Sequence, residues 1–242
     1  MEFPLGIFGI ALGTVILPHL SEHHARKHHD GFSDTLDWAL RAVLTLTLPS
    51  AVGLAVLAGP ILSTLFEYGE FTARDVTQSS YALMTYAAGL TGFIMVKVLA
   101  PGYYARQDTR TPVKIGVIAM LTNVVLCAIL AWPLKHAGLA LATSTAAFVN
   151  AALLLRGLLR MGVYRPRPGW PAFTLRIVLA CTAMGAALWW AADGQALWSG
   201  WSVTSRALRL TALVLAGVVI YAVTLWIAGL RPAHLAQPRA SL

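Results

Sequence analysis

The chain has 242 residues, of which 57% are hydrophobic and only 12% are charged, and its mean hydropathy is +0.68. Soluble domains carry about twice that share of charge, so the composition excludes an ordinary soluble domain. The formal net charge is +8, but the basic residues recur at intervals and form no single patch, which argues against nucleic acid as a partner.

Seven apolar stretches of roughly twenty residues each predict seven membrane-spanning helices. A hydrocarbon core about 30 Å thick requires about 20 apolar residues in helical form, and the backbone inside lipid must satisfy its own hydrogen bonds. We therefore predict an all-α, polytopic bundle that forms a single transmembrane domain over residues 1–242. The predicted spans cover residues 3–20, 38–59, 79–100, 113–134, 137–158, 173–192 and 207–230.

The Lys and Arg residues are distributed unequally between the two sides of these spans. An excess of basic residues marks cytoplasmic loops, so we predict a multi-pass membrane protein with its C-terminus in the cytoplasm. The loops at 21–37, 101–114 and 156–172 are then cytoplasmic. Thirteen basic residues lie on that side (Arg26, Lys27, Arg41, Arg106, Arg110, Lys114, Arg156, Arg160, Arg165, Arg167, Arg176, Arg231 and Arg239) against four on the other (Arg74, Lys135, Arg206 and Arg209).

The start of the chain is unusual for a membrane protein with this orientation. The sequence opens with Met1 and Glu2 directly at the first predicted span, and no basic segment precedes that span. A signal peptide would carry such a segment. We therefore expect the sequence to be the C-terminal part of a larger transporter, whose N-terminal lobe is missing here.

Two ionisable residues are candidates for a substrate cavity. Lys97 lies in the third predicted span, and an ionisable group within a span is by default a functional candidate. The alternative for Lys97 is that its long side chain extends to the nearby membrane surface. Glu2 precedes the first span, where the alternative is a solvated carboxylate near the terminus.

Small residues recur within the spans at spacings that place them on one helix face. They allow helix backbones to approach closely, which is how membrane bundles pack, and some would also permit rocking between helices. The residues that we assign to packing or hinge positions are Gly6, Gly9, Gly13, Gly89 and Gly92.

The sequence contains no recognisable catalytic or metal-binding motif. His24 and His28 have the i,i+4 spacing of a helical metal site, but no acidic partner completes a zinc motif. Cys127 and Cys181 lie in apolar stretches and indicate neither a disulfide nor a metal ligand. We predict no metal, no cofactor and no enzymatic activity. A membrane enzyme acting on polyprenyl phosphates remains the alternative of a different class, with an interfacial site built from Glu70, Asp75 or Asp108.

Four segments together resemble one known family. Residues 1–18 read MEFPLGIFGIALGTVILP, residues 65–72 read LFEYGEFT, residues 96–113 read VKVLAPGYYARQDTRTPV, and residues 133–139 read PLKHAGL. These segments resemble the C-terminal part of the MurJ (MviN) lipid II flippase family of the MOP transporter superfamily. The family-motif loop carries Gln107, Asp108, Thr111 and Pro112.

The resemblance implies a bundle of fourteen helices, of which this chain would supply the eighth to the fourteenth. It further implies a location in the bacterial inner membrane. The substrate would be lipid II, an undecaprenyl-pyrophosphate-linked disaccharide-peptide, moved from the inner to the outer leaflet by alternating access. The lipid tail would follow an apolar groove at the last two helices, and the partners would be lipid II, membrane lipids and the N-terminal lobe. A related MOP exporter of polysaccharide lipids or drugs is the alternative transporter.

Overall fold

The computed structural model describes residues 29–192, 198 and 200–230, and this part of the chain is built from six helices. All of them except α2 are long and apolar enough to cross a membrane. The first predicted span, with Glu2, Gly6, Gly9 and Gly13, lies outside the described residues, as does most of the histidine-rich segment. The helices are α1 (His29–Val56), α2 (Ala58–Phe66), α3 (Ala73–Tyr104), α4 (Arg110–Arg160), α5 (Trp170–Ala191) and α6 (Val203–Ile227).

The helices extend beyond the apolar stretches that predict them. Residues 29–37, which we assigned to a loop, form the first turns of α1, and parts of the loops at 101–114 and 156–172 are helical as well. Polar side chains stabilise these extensions. At the start of α3, for example, the backbone N–H and the hydroxyl of Thr72 both donate to the Asp75 carboxylate, at 2.9 and 2.7 Å. Hydropathy marks the apolar part of a span, whereas such caps determine where the helix ends.

Two prolines mark the interruptions of the helices. Pro60 follows the break between α1 and α2 at Leu57, because a proline cannot donate to the carbonyl four residues earlier and its ring clashes with that carbonyl. The 51 residues of α4 would span roughly 76 Å as one straight helix, more than twice the thickness of a bilayer core. Two residues after Pro133, Lys135 adopts φ 48° and ψ −125°, which divides α4 into the two spans predicted at residues 113–134 and 137–158.

The central core lies where α3 packs against α1 and the second half of α4. A Cβ atom added to Gly89 would lie 2.8 Å from the Cα of Ser144, and one added to Gly92 would lie 3.0 Å from the Phe148 amide nitrogen. The Ser144 hydroxyl donates to the Thr85 carbonyl at 2.7 Å across the same crossing. These two glycines therefore allow backbone to pack directly on backbone.

The last two helices form a pair that lies against α1. Apolar residues of α5 and α6, among them Ile177 and Leu225, pack with Leu44, Leu48 and Val52 of α1. A second cluster joins Leu57, at the end of α1, to both helices of the pair. The described helices thus form a core of α1, α3 and α4 and a peripheral pair, α5 and α6, with the short α2 packed against α3 and α6.

The close approach at Gly89 predicts a large difference between two chemically identical substitutions. Gly89→Ala is expected to lower the free energy of unfolding by about 1–3 kcal/mol, the usual cost of overpacking. The added Cβ would lie 2.6 Å from the Ser144 Cβ and 2.8 Å from its Cα, so the two helices have to move apart. Gly116→Ala is the matched control, since no atom lies within 4 Å of its Cβ position. That change is expected to stabilise the helix by about 0.5–1 kcal/mol. Denaturant unfolding of the purified chain in detergent micelles measures the stability of both variants. Equal stabilities of the Gly89→Ala and Gly116→Ala variants would contradict the close approach of α3 and α4 at Gly89.

Candidate functional site

A polar groove of about 820 Å³ opens between α3 and the two halves of α4. Small residues form much of its wall, so the helices leave room between them rather than filling it with side chains. Among these are Gly116, Ala119, Ala146 and Ala147. The polar side chains that line it are Tyr86, Lys97, Asn123, Thr143 and Asn150.

Lys97 contributes the positive charge of this groove. It lies about two turns before the end of α3, and its side chain is exposed rather than enclosed by the described helices. The described residues that line the groove include amides, hydroxyls and this lysine but no carboxylate. The arrangement therefore favours an anionic group with several oxygen acceptors, because an ammonium group and amides can both donate to it.

Lys97 was predicted from the sequence as a cavity residue, but the other polar side chains of the groove were not. Asn123 and Asn150 lie in the middle of two strongly apolar predicted spans, and Tyr86 and Thr143 lie in two spans as well. The two asparagines could have been identified as candidates from the sequence, because a buried amide side chain requires a hydrogen-bond partner and is therefore unusual within an apolar span. Only the fold brings these residues of α3 and α4 together with Lys97.

The family-motif loop forms the tight connection between α3 and α4. Gln107 adopts φ 61°, and the Asp108 carboxylate accepts a hydrogen bond from the Thr111 amide at 3.0 Å. Hydrogen bonds from the side chain and backbone of Thr111 hold the pKa of Asp108 below its usual value. Pro112 is buried in the first turn of α4, where a missing N–H costs little. The geometry gives this loop a structural role in setting the angle between two helices.

A second, apolar cavity of about 470 Å³ lies between α1 and the α5–α6 pair. Its walls are almost entirely hydrocarbon, with Leu46 and Leu54 on α1, Leu188 on α5 and Val218 on α6. A cavity of this character accommodates an alkyl or prenyl chain and not a charged group. Among the described residues, the polar groove thus borders α3 and α4, whereas the apolar cavity borders α1, α2, α5 and α6.

Comparison with known proteins identifies the family. The family model described as "Lipid II flippase MurJ" matches residues 1–225. The chain belongs to the MurJ lipid II flippase family. The resemblance deduced from the four motif segments is thereby confirmed, and the family groups membrane transporters rather than enzymes.

Individual relatives agree with this assignment. A protein of Vibrio cholerae serotype O1 named "Probable lipid II flippase MurJ" is 51% identical over 231 residues, covering 96% of this chain and 44% of the relative. A Haemophilus influenzae protein of the same name is 44% identical, covering 97% and 47%. A solved structure, "Lipid II flippase MurJ, inward closed conformation", matches with a TM-score of 0.75 and 26% identity over 92% of this chain and 43% of that one. The chain thus spans somewhat less than half the length of these MurJ family members.

The turn built by the family-motif loop can be tested at Asp108. Asp108→Ala is expected to lower the free energy of unfolding by about 0.5–2 kcal/mol, because the Thr111 amide loses its acceptor. Asp108→Asn is the control, since its side-chain oxygen still accepts this bond and most of the stability is retained. Because the folded-state pKa is lowered, the charged form contributes stability above about pH 4, and this contribution is lost as the pH falls through the folded-state value. Thermal unfolding between pH 3 and 7 measures both effects, and identical curves for the parent and the alanine variant would contradict them.

Proposed function

We propose that this chain forms the second lobe of a lipid II flippase, which moves undecaprenyl-pyrophosphate-linked disaccharide-peptide from the inner to the outer leaflet. The observation that carries the proposal is the presence, in a member of this family, of both a polar groove with a positive charge and a separate apolar cavity. A lipid with a pyrophosphate headgroup and a long prenyl tail has the same division into polar and apolar parts.

In this proposal the polar groove receives the headgroup. Pyrophosphate is multiply charged and strongly hydrated, so a site must replace its water with cations and hydrogen-bond donors. Lys97 would supply a cation, and the Asn123 and Asn150 amides and the Tyr86 hydroxyl would donate to phosphate or sugar oxygens. The Thr143 hydroxyl already donates to the Leu139 carbonyl at 2.9 Å and could only accept. One lysine is too little charge for a pyrophosphate, so further cations would come from a facing lobe across the open side of the groove.

The apolar cavity would hold part of the prenyl tail. The lining hydroxyls of Thr45, Ser50 and Tyr221 already donate to backbone carbonyls, and the α5–α6 pair presents large apolar side chains at its surface. The tail could then remain in an apolar environment while the headgroup crosses. Rocking of the two lobes about the headgroup site would expose it to each side in turn.

A chimera tests the proposed function directly. The C-terminal half of the Vibrio cholerae relative is replaced by residues 1–242 of this chain, and the chimera is expressed in cells depleted of their own lipid II flippase. We expect the chimera to restore growth and the appearance of lipid II in the outer leaflet. The 242 residues expressed alone are expected not to do so, because the groove then lacks its facing wall. Failure of a well-expressed chimera would contradict the proposal, and rescue by the 242 residues alone would contradict the need for a second lobe.

Lys97 is predicted to be required in that chimera. Lys97→Leu should abolish or strongly reduce rescue while leaving the abundance of the protein unchanged, because the groove loses its positive charge. Lys97→Arg should retain activity, since arginine also binds phosphate. Lys114→Leu is the matched control, because Lys114 is exposed at the start of α4 and lies outside the groove. Full rescue by the leucine variant would leave Lys97 no role beyond reaching the membrane surface.

The proposed orientation places the α3–α4 and α4–α5 loops in the cytoplasm. In a background lacking Cys127 and Cys181, single cysteines replace the exposed Thr109 and Pro166 on that side and the exposed Glu70 and Arg74 on the other. A membrane-impermeant thiol reagent applied to intact cells is expected to label only the second pair. All four positions should react after the cells are permeabilised. Labelling of only the first pair would reverse the orientation.

A further inference from the structure

The apolar cavity is bordered by polar contacts at both of its ends. We call the end of the bundle that carries the start of α1 and the α4–α5 loop the basic end, and the end that carries the start of α6 the opposite end. Helices that face one another across open apolar space tend to close upon it, because tight packing recovers dispersion contacts. The spacing between α1 and the α5–α6 pair therefore has to be set by contacts elsewhere.

At the basic end, a buried carboxylate determines where α5 begins. Asp37 of α1 is only 1% exposed. Its Oδ1 accepts hydrogen bonds from the Tyr164 hydroxyl at 2.8 Å, the Trp170 indole N–H at 2.7 Å and the Arg167 amide at 3.2 Å. Burial, followed by the bond to Asp37, raises the pKa of Tyr164, so this hydroxyl remains a donor. All three donors belong to the α4–α5 loop or the first residue of α5.

Arg41 completes this cluster from the next turn of α1. Its Nε donates to Oδ2 of Asp37 at 2.8 Å, and its Nη2 donates to the Pro168 carbonyl at 3.3 Å. Its guanidinium also lies 5.1 Å from the centroid of the Trp170 ring and 5.3 Å from that of Phe173, within the range of cation–π attraction. A buried carboxylate is tolerated only when it is paired and hydrogen-bonded, so Asp37 and its donors are held together.

At the opposite end, a buried arginine holds α6 to α2. Arg206 is 7% exposed, and its Nη1 donates to the carbonyl of Ser63 in the last turn of α2 at 2.8 Å. The same nitrogen lies 3.6 Å from Oε2 of Glu67, which directly follows α2 and is also almost fully buried. Its Nε donates to the Trp201 carbonyl at 3.1 Å. The arginine thus satisfies a carbonyl at a helix end that has no intrahelical donor.

Between the two ends, one hydrogen bond links α6 to α1 at the cavity itself. The Tyr221 hydroxyl donates to the Thr45 carbonyl at 2.8 Å, and both residues line the cavity. Contacts at three levels therefore join the pair to α1 and α2.

We infer that Asp37 and Arg206 are positioning residues that fasten the α5–α6 pair to α1 and α2 at both ends, so that these helices move as one rigid unit and the width of the apolar cavity is fixed. The cavity then does not open by an outward swing of α5 and α6. Where the cavity is said to receive a lipid chain, the inference rests on the proposed function. The rigidity itself does not depend on it.

Distance measurements on the full chain test the rigidity. In a variant lacking Cys127 and Cys181, spin labels are placed at Tyr81 on α3 and Val219 on α6, which are both exposed and lie outside the cavity. The parent in lipid nanodiscs is expected to give one narrow distance distribution. Asp37→Asn, and separately Arg206→Gln combined with Glu67→Gln, should broaden it and add a longer component. Combining the variants of both ends should broaden it further.

Matched control variants distinguish the loss of the Asp37 and Arg206 contacts from a general loss of stability. Asp34→Asn removes an exposed partner of Arg167 on the same turn of α1, and Arg74→Gln removes an exposed arginine at the opposite end. Both should leave the distribution unchanged. Asp37→Glu should restore part of the narrow component. If Asp37→Asn does not fold, Tyr164→Phe and Trp170→Phe remove one donor each and should broaden the distribution moderately. Folded variants of both ends that keep the parent distribution would overturn the inference.

A second measurement tests separately whether the apolar cavity binds a prenyl chain. A photoreactive polyprenyl phosphate is cross-linked to each labelled variant, and capture is measured per folded protein. Reduced capture in the variants of either end, with normal capture in the controls, is expected. Broadened distances with unchanged capture would retain the positioning role and reject the prenyl chain as the occupant. Unchanged distances would reject the positioning role whatever the capture shows.

Discussion

The crossing of α3 over the second half of α4 is the contact on which the rest of the structure depends. The two backbones approach so closely that a Cβ atom would lie 2.8 Å from the Ser144 Cα at Gly89 and 3.0 Å from the Phe148 amide nitrogen at Gly92. Membrane helices lack a hydrophobic driving force between them, and close backbone packing with hydrogen bonds such as Ser144 to Thr85 takes its place. The crossing fixes α3 relative to α4, and the polar groove lies beside it, lined by Ala146 and Ala147 from the same part of α4.

The polar groups of this chain are divided between two kinds of position. Buried ionic clusters lie at the helix ends, where Asp37 and Arg206 hold neighbouring elements in place. Lys97, by contrast, remains exposed in the groove. The difference is physically reasonable, because a charge that must bind and release a substrate cannot already be satisfied within the protein, whereas a structural charge must be. The exposure of a charged side chain in a groove therefore distinguishes the candidate binding site from the buried clusters that hold the helices in place.

Much of the fold could be predicted from the sequence, because a bilayer imposes a single length and a single type of secondary structure on each span. The five long helices match predicted spans, and the division of α4 falls between two of them. The ends of the helices were predicted less well, since α1 begins at His29 rather than near Trp38. The polar clusters could not be predicted at all. Asp37 finds its partners 127–133 residues later in the chain, and no local pattern records such a contact.

Arg206 shows that the charge of a residue, which the count of basic residues uses, does not reveal its structural role. In the sequence it contributed one of four charges to an argument about orientation, and any exposed basic residue would have contributed the same. In the structure it is buried and satisfies the carbonyl of Ser63 beside Glu67. A substitution that preserves the charge balance can therefore still release α6 from α2. Lysine would retain the positive charge, but it lacks the planar guanidinium that donates at once to the Ser63 and Trp201 carbonyls. The identity of the residue, and not only its charge, then carries the structural role.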